Sequence, residues 1–141
     1  VKSSIKEMIG ITHLLDAQDL AGVDTKTKLL DLKGLGSAAI LINFGALTGS
    51  GSILAKIQEC DTTADTSFTD VASTNLIGSF TSVTADTDNL SQIVGYKGVK
   101  RYIRAVITKT GTVTADLVAV DGIVAEGRRE PITAPAAVSA T

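Results

Sequence analysis

The sequence predicts an all-β fold, an antiparallel β-sandwich of jelly-roll or Ig-like type, on three observations. From Lys28 onward, short β-branched segments recur between clusters of Gly, Asp, Asn and Thr. Several of these segments alternate apolar and polar residues with the period of a half-buried strand. Helical periodicity is confined to the first residues, and Gly10 with the β-branched Ile11-Thr12 weakens it there. With 141 residues and a hydrophobic fraction of 44%, the chain has material for one domain whose core needs no disulfide. The expected organisation is an N-terminal arm over 1–27, a β-sandwich over 28–129 and an extended C-terminal tail over 130–141. A sandwich is preferred to a barrel, although alternation does not dictate strand order.

In the arm, Ser4-Ile5-Lys6-Glu7 fits a capping box, and Ile5, Met8, Ile9 and Leu15 approximate a helical stripe, so at most a short helix is expected. Leu29 to Leu32 reads as a first strand. Ser37 to Phe44 is nearly continuously apolar and reads as a central strand. The glycines at 45, 49 and 51 supply a flexible turn before Ile53 to Cys60, where Ile53, Ala55 and Ile57 share one face. Asp61 to Ser67 is a polar loop, and Phe68 anchors a short strand or corner through Val71. A second polar loop, Thr84 to Asn89, separates Phe80-Thr81-Ser82-Val83 from Gln92-Ile93-Val94-Gly95. Lys109-Thr110-Gly111-Thr112 between two β-rich runs predicts a hairpin joining Tyr102–Thr108 to Val113–Ala125. Around Leu117 to Val120 both faces are partly apolar, which suits the middle of two packed layers or a subunit interface. The end carries both prolines, Pro131 and Pro135, and no alternation, hence the extended tail.

Composition narrows the chemistry. Thirteen basic against 15 acidic residues, a net charge of −2, argues against a partner held by bulk attraction to phosphates. The single cysteine, Cys60, excludes an internal disulfide and zinc cages that need two thiolates from one chain. No apolar run approaches a membrane span, and Val1 to Glu7 lacks the apolar centre of a signal peptide. His13 is the only histidine and falls in the expected arm, so a hydrolytic triad has no oriented base. Asp61, Asp65, Asp70, Asp86 and Asp88 invite a calcium or glycosidase reading, but Asp86-Thr87-Asp88-Asn89 lacks the glycine and distal glutamate of an EF-hand, and turn capping accounts for them. Catalytic residues, metal ligands and cofactors are therefore all expected to be none. The clearest basic cluster is Lys97, Lys100, Arg101 and Arg104 with Tyr96 and Tyr102 interleaved; with no Trp and 4% aromatic residues, it reads as a subunit-facing or solvated surface rather than a base-stacking platform. Arg128 and Arg129 form a polar exit from the last strand.

Three ordered blocks carry a resemblance: Ile57-Gln58-Glu59-Cys60-Asp61, then Ser67-Phe68-Thr69-Asp70-Val71, then Val94-Gly95-Tyr96-Lys97-Gly98-Val99-Lys100-Arg101-Tyr102-Ile103-Arg104. Together they resemble small β-sandwich capsid decoration, or cement, proteins of tailed bacteriophages, over roughly Lys28 to Arg129. The resemblance implies a non-enzymatic virion protein, made in the host cytoplasm, that binds the major capsid protein on the outer surface of an icosahedral head and reinforces capsomer junctions. It also implies a homo-oligomer with threefold association, and neither nucleic-acid nor membrane partners. The contact residues it suggests are Lys2, Ile5 and Met8 in the arm, Lys97, Lys100, Arg101 and Arg104, and Arg128 with Arg129. The alternative is a receptor- or glycan-binding module of a phage tail or fibre, which sparse aromatics disfavour. A small hydrolase using the loop aspartates ranks last.

Overall fold

A computed structural model describes residues 4–126 and 133–141. A four-residue helix, α1 (Ile5–Met8), leads into ten strands: β1 (Ile9–Asp19), β2 (Asp24–Lys26), β3 (Leu30–Asp31), β4 (Ser37–Thr48), β5 (Ser52–Cys60), β6 (Thr69–Asp70), β7 (Leu76–Ile77), β8 (Leu90–Tyr96), β9 (Tyr102–Thr110) and β10 (Ala115–Ala125). They form two antiparallel sheets, one ordered β1-β10-β4-β8-β7 and the other β2-β9-β5-β6 with β3 also on β9. The pairing is nested: β1 lies beside β10 in one sheet, and β2 beside β9 in the other. This is jelly-roll order, in which a long antiparallel ribbon is rolled so that alternate segments fall in opposite sheets. No helix among the described residues is long and apolar enough to cross a membrane.

Period-two alternation builds the core between the sheets. Ile40, Ile42 and Phe44 of β4 point inward, as do Ile53, Ala55 and Ile57 of β5, Ile103, Ala105 and Ile107 of β9, and Val118, Val120 and Val124 of β10. The strand expected from Ser37 is central, flanked by β10 and β8, and runs on to Thr48. The expected first strand narrows to Leu30–Asp31. Phe80 to Val83 is not a strand; only Val83 bridges, to Ile53.

Two expectations need correction. Residues 9–26 are not an arm: β1 pairs with β10 along its length, and β2 pairs with β9. Gly10, Thr12 and Leu14 are buried while Ile11 and His13 are exposed, so the period is two and the helical stripe ends with α1. Reciprocal bonds fasten the end of β1, since the buried Asp116 carboxylate accepts the Leu20 N–H at 3.1 Å and Asp19 accepts the Asp116 N–H at 3.0 Å. The second correction concerns the hairpin. Strands β9 and β10 lie in opposite sheets and face each other across the core. Gly111 to Thr114 therefore crosses between layers that pack about 10 Å apart, a span four residues cover easily.

The connection from β4 to β5 crosses at the same end, and the two corners lock together. Gly51 N–H donates to Thr112 O at 2.8 Å, Thr114 N–H donates to Thr48 O at 2.9 Å, and the Thr48 and Thr114 hydroxyls share a 2.7 Å hydrogen bond.

The outer faces of the two sheets differ. On the β9 side, Leu29, Cys60, Phe68 and Tyr102 form a second small core, with Val138 and Ala140 packed against it. The described part of the tail, 133–141, forms no strand beyond one bridge at Val138 and is docked: Leu29 and Val138 exchange backbone hydrogen bonds, Thr141 N–H donates to Thr63 O, and Asp65 N–H donates to Thr141 O. Across the other sheet, no described segment covers the outward residues of β4, β8 and β10.

Candidate functional site

Tyr96 organises the end of the sandwich opposite the corners. It terminates β8, and its hydroxyl donates across to Glu59 of β5 at 2.5 Å, tying one sheet to the other. The same oxygen accepts the Lys100 N–H at 3.1 Å, so the segment 97–101 folds over the ring. Burial pushes the Tyr96 phenol well above its ordinary value, and donation to the Glu59 carboxylate adds to the shift. The group is a neutral structural pin, not an acid or base for work near neutrality.

Two aspartates hold the segment laterally. Asp31 receives a two-pronged contact from Arg101, Nε and Nη2 each at 3.0 Å, and the guanidinium lies 4.9 Å from the Tyr102 ring centre. Asp61 accepts Lys100 Nζ at 2.8 Å and the Arg101 N–H at 3.3 Å. Hydrogen bonding to Arg101 and to Lys100, respectively, draws the Asp31 and Asp61 carboxyls below their usual range. Depressed folded-state values contribute stability above the unfolded carboxyl value, near pH 4, and that stability is lost as pH falls through the folded values. Thermal melts between pH 5 and pH 2 are expected to show the midpoint falling below about pH 4, with a smaller fall in Asp31→Asn.

Behind this frame lies an open cleft of about 550 Å3. Its apolar lining comes from Leu32, Leu35, Ala38, Ile77 and Val99, and its cations are Lys33, Lys97, Lys100 and Arg101. Lys100 and Arg101 are engaged by Asp61 and Asp31; Lys33 and Lys97 have no ion-pair partner among the described residues. Val99, 94% exposed, stands at the rim. The cleft can bind a carboxylate-bearing, partly apolar surface or segment. Among the described residues it holds no nucleophile paired with a base, and no three His, Cys, Asp or Glu side chains converge to hold a metal.

The cleft adjoins a larger apolar surface through Ile77. On the outer face of the β1-β10-β4-β8-β7 sheet, the pairings place Ile11, Ile123, Ala39, Gly95 and Ile77 in one cross-strand row. The next row holds His13, Asp121, Leu41 and Ile93, and beyond it lie Ala119, Asn43 and Ser91. Ile11, Ile77 and Ile93 are 57%, 63% and 56% exposed. Leu117, exposed as well, leans over Gly45. Within these rows the ionisable groups are His13 and Asp121, which meet through Nδ1 at 2.6 Å; the His13 Nε2 meets Asp16 at 2.9 Å. The bond to Asp121 raises the imidazole above its ordinary value, so its contribution to stability is full below about pH 6.5 and fades as pH rises through the folded value.

Of the suggested contact residues, Lys97, Lys100 and Arg101 meet at the cleft. Ile5 and Met8 are exposed on α1, apart from that lining. Lys2, Arg128 and Arg129 lie outside the described residues. Arg104 is corrected: it is 2% exposed on the covered side of β9, donates to Gln58 Oε1 at 3.0 and 2.9 Å and to Asp65 at 2.5 Å, and sits 4.2 Å from the Phe68 ring centre. It serves the second core and is unavailable to a partner. Tyr96 and Tyr102 are buried as well, so neither ring is presented for stacking on bases or sugars. The aspartates are structural: Asp88 accepts the Leu47 N–H, Asp65 holds Arg104 and Lys26, and Asp70 holds Lys56 and Gln58. Sequence reasoning missed Lys33 and the apolar sheet face, for which the two-sided apolarity around Leu117 to Val120 was the available signal.

No protein-family model matches this chain, and no curated protein matches it. Similar solved structures include one of infectious bursal disease virus, Gx strain, at TM-score 0.47 and 14% identity over 93% of this chain and 36% of that one. A second is the SPBc2 prophage-derived protein YomS, at TM-score 0.40 and 18% identity over 89% and 99% of the respective chains. A third is the infectious bursal disease virus VP2 subviral particle, at TM-score 0.39 and 11% identity over 90% and 34%. The chain spans about a third of the length of the bursal disease virus chains.

Proposed function

We propose that this protein is a non-enzymatic structural component of a virus particle that binds the outer surface of an icosahedral phage head, through the major capsid protein, and stabilises capsomer junctions. The observation that carries the reading is the open cleft at the sandwich end, where Lys33 and Lys97, without an ion-pair partner among the described residues, stand beside the exposed Val99 and Ile77. The described loop and tail roof one sheet while no described segment covers the apolar outer face of the other, which offers a further surface to another protein copy. The resemblance of the Ile57 to Arg104 blocks to phage decoration proteins supports the same reading. In this proposal the cleft makes the shell contact: Lys33 and Lys97 meet carboxylates of the shell while Val99 and Ile77 supply apolar area. Copies associate with one another, and many weak contacts on a repeating lattice add to firm attachment.

The test is titration of the protein onto heads that lack it. Saturable occupancy and raised thermal resistance of the heads are expected. The double variant Lys33→Glu/Lys97→Glu should weaken occupancy about tenfold or more at moderate salt, with an unchanged melting midpoint of the free protein. Absence of saturable binding by the unmodified chain overturns the proposal.

A further inference from the structure

We propose that a second copy of this chain covers the bare sheet, the two faces meeting about a two-fold axis, so that the protein is a dimer before it reaches any shell. Size supports this occupant. Four strands about 4.8 Å apart along about 25 Å of β4, with the two-residue β7 at the edge, give a footprint of roughly 500 Å2. Two such faces bury about 1,000 Å2, the size that a specific interface should clear.

Charge supports it as well. A contact between identical faces fails when like charges are brought together, but the ionisable groups within the rows are His13 and Asp121, already paired with each other. Asp16, also on His13, lies toward the rim, on β1 beyond the second row. With the axis lying between the first two rows, Leu41 of one copy stands over Ala39 of the other, a shallow site flanked by Ile123 and by Ile77, which leans across Gly95. One sheet face packs on one other, so this contact yields two copies, in place of the threefold association that the resemblance implies. The clefts stay open at the sandwich ends, which leaves shell binding to be tested separately.

Sedimentation equilibrium of the free chain across micromolar concentrations is expected to give twice the 14.5 kDa mass of one copy. Ile93→Asp and Ile11→Asp, both at exposed positions, should give single copies with native circular dichroism, while Val99→Asp, outside the face, should keep the double mass. A single-copy mass for the unmodified chain at every concentration overturns the proposal. So does a threefold mass, or a double mass that survives both face substitutions. If instead the unmodified chain is monomeric and Ile93→Asp abolishes head occupancy, the face belongs to the shell protein; the dimer is then refuted while the proposed function stands.

Discussion

Replacing Gly51 with alanine is expected to cost about 3 kcal/mol of stability and to lower the melting midpoint by roughly 10 °C. A Cβ at this position would overlap the carbonyl oxygen of Thr110 and reach within 2.9 Å of both the backbone nitrogen and oxygen of Thr112. All three are main-chain atoms of the neighbouring corner, and they cannot swing aside as a side chain would. Relief requires parting the two crossings, which breaks the Gly51 to Thr112 and Thr114 to Thr48 hydrogen bonds together. Gly34→Ala is the control: it has positive φ but nothing within 4 Å of an added Cβ, so only backbone strain of about 1 kcal/mol applies. Paired thermal melts check both, and a loss at Gly51 no greater than that at Gly34 would show that the interlocked corners do not set the cost.

Arg104→Ala is expected to be as damaging, at about 3 kcal/mol. The Arg104 side chain is the largest fully buried one among the described residues, and its guanidinium joins Gln58, Asp65 and the Phe68 ring. Truncation leaves the Gln58 amide oxygen without its donors and opens a cavity beneath Phe68. Asp65, 40% exposed and still beside Lys26, recovers solvation, which keeps the loss below that of a wholly buried ion pair. Arg104→Met fills most of the volume without the charge and should lose about half as much. Chemical denaturation of the three proteins measures the ordering. Because the tail packs on Leu29 in the same small core, amide exchange at Val138 and Thr141 should also quicken in Arg104→Ala.

These two positions mark the line between local and long-range information. The alternation of Ile53, Ala55 and Ile57, and of Ile103, Ala105 and Ile107, was legible because neighbours in sequence take opposite faces of one strand. The same rule held in Gly10, Thr12 and Leu14, but an adjacent helical stripe in Ile5 and Met8 obscured it. Gly111 signalled a turn, yet a turn residue specifies where the chain bends and not which sheet receives the next strand. Arg104 read as a surface cation because its period-two position is outward; nothing local states that Phe68, Asp65 and the tail close over it. Lys97, Lys100 and Arg101 were recognisable as a cluster, whereas Lys33 joined them only through the fold.

The sequence by itself determined the β class, the inward residues of the central strands, the aspartate-rich turns and the two-sided apolarity of the last strand. All follow from side-chain type and a period spanning a few residues. The tertiary structure alone decided the jelly-roll pairing, the burial of Arg104 and the roofing of one sheet while no described segment crosses the other, because each depends on contacts between segments tens of residues apart. An outward apolar residue becomes core or interface according to what the distant chain lays across it.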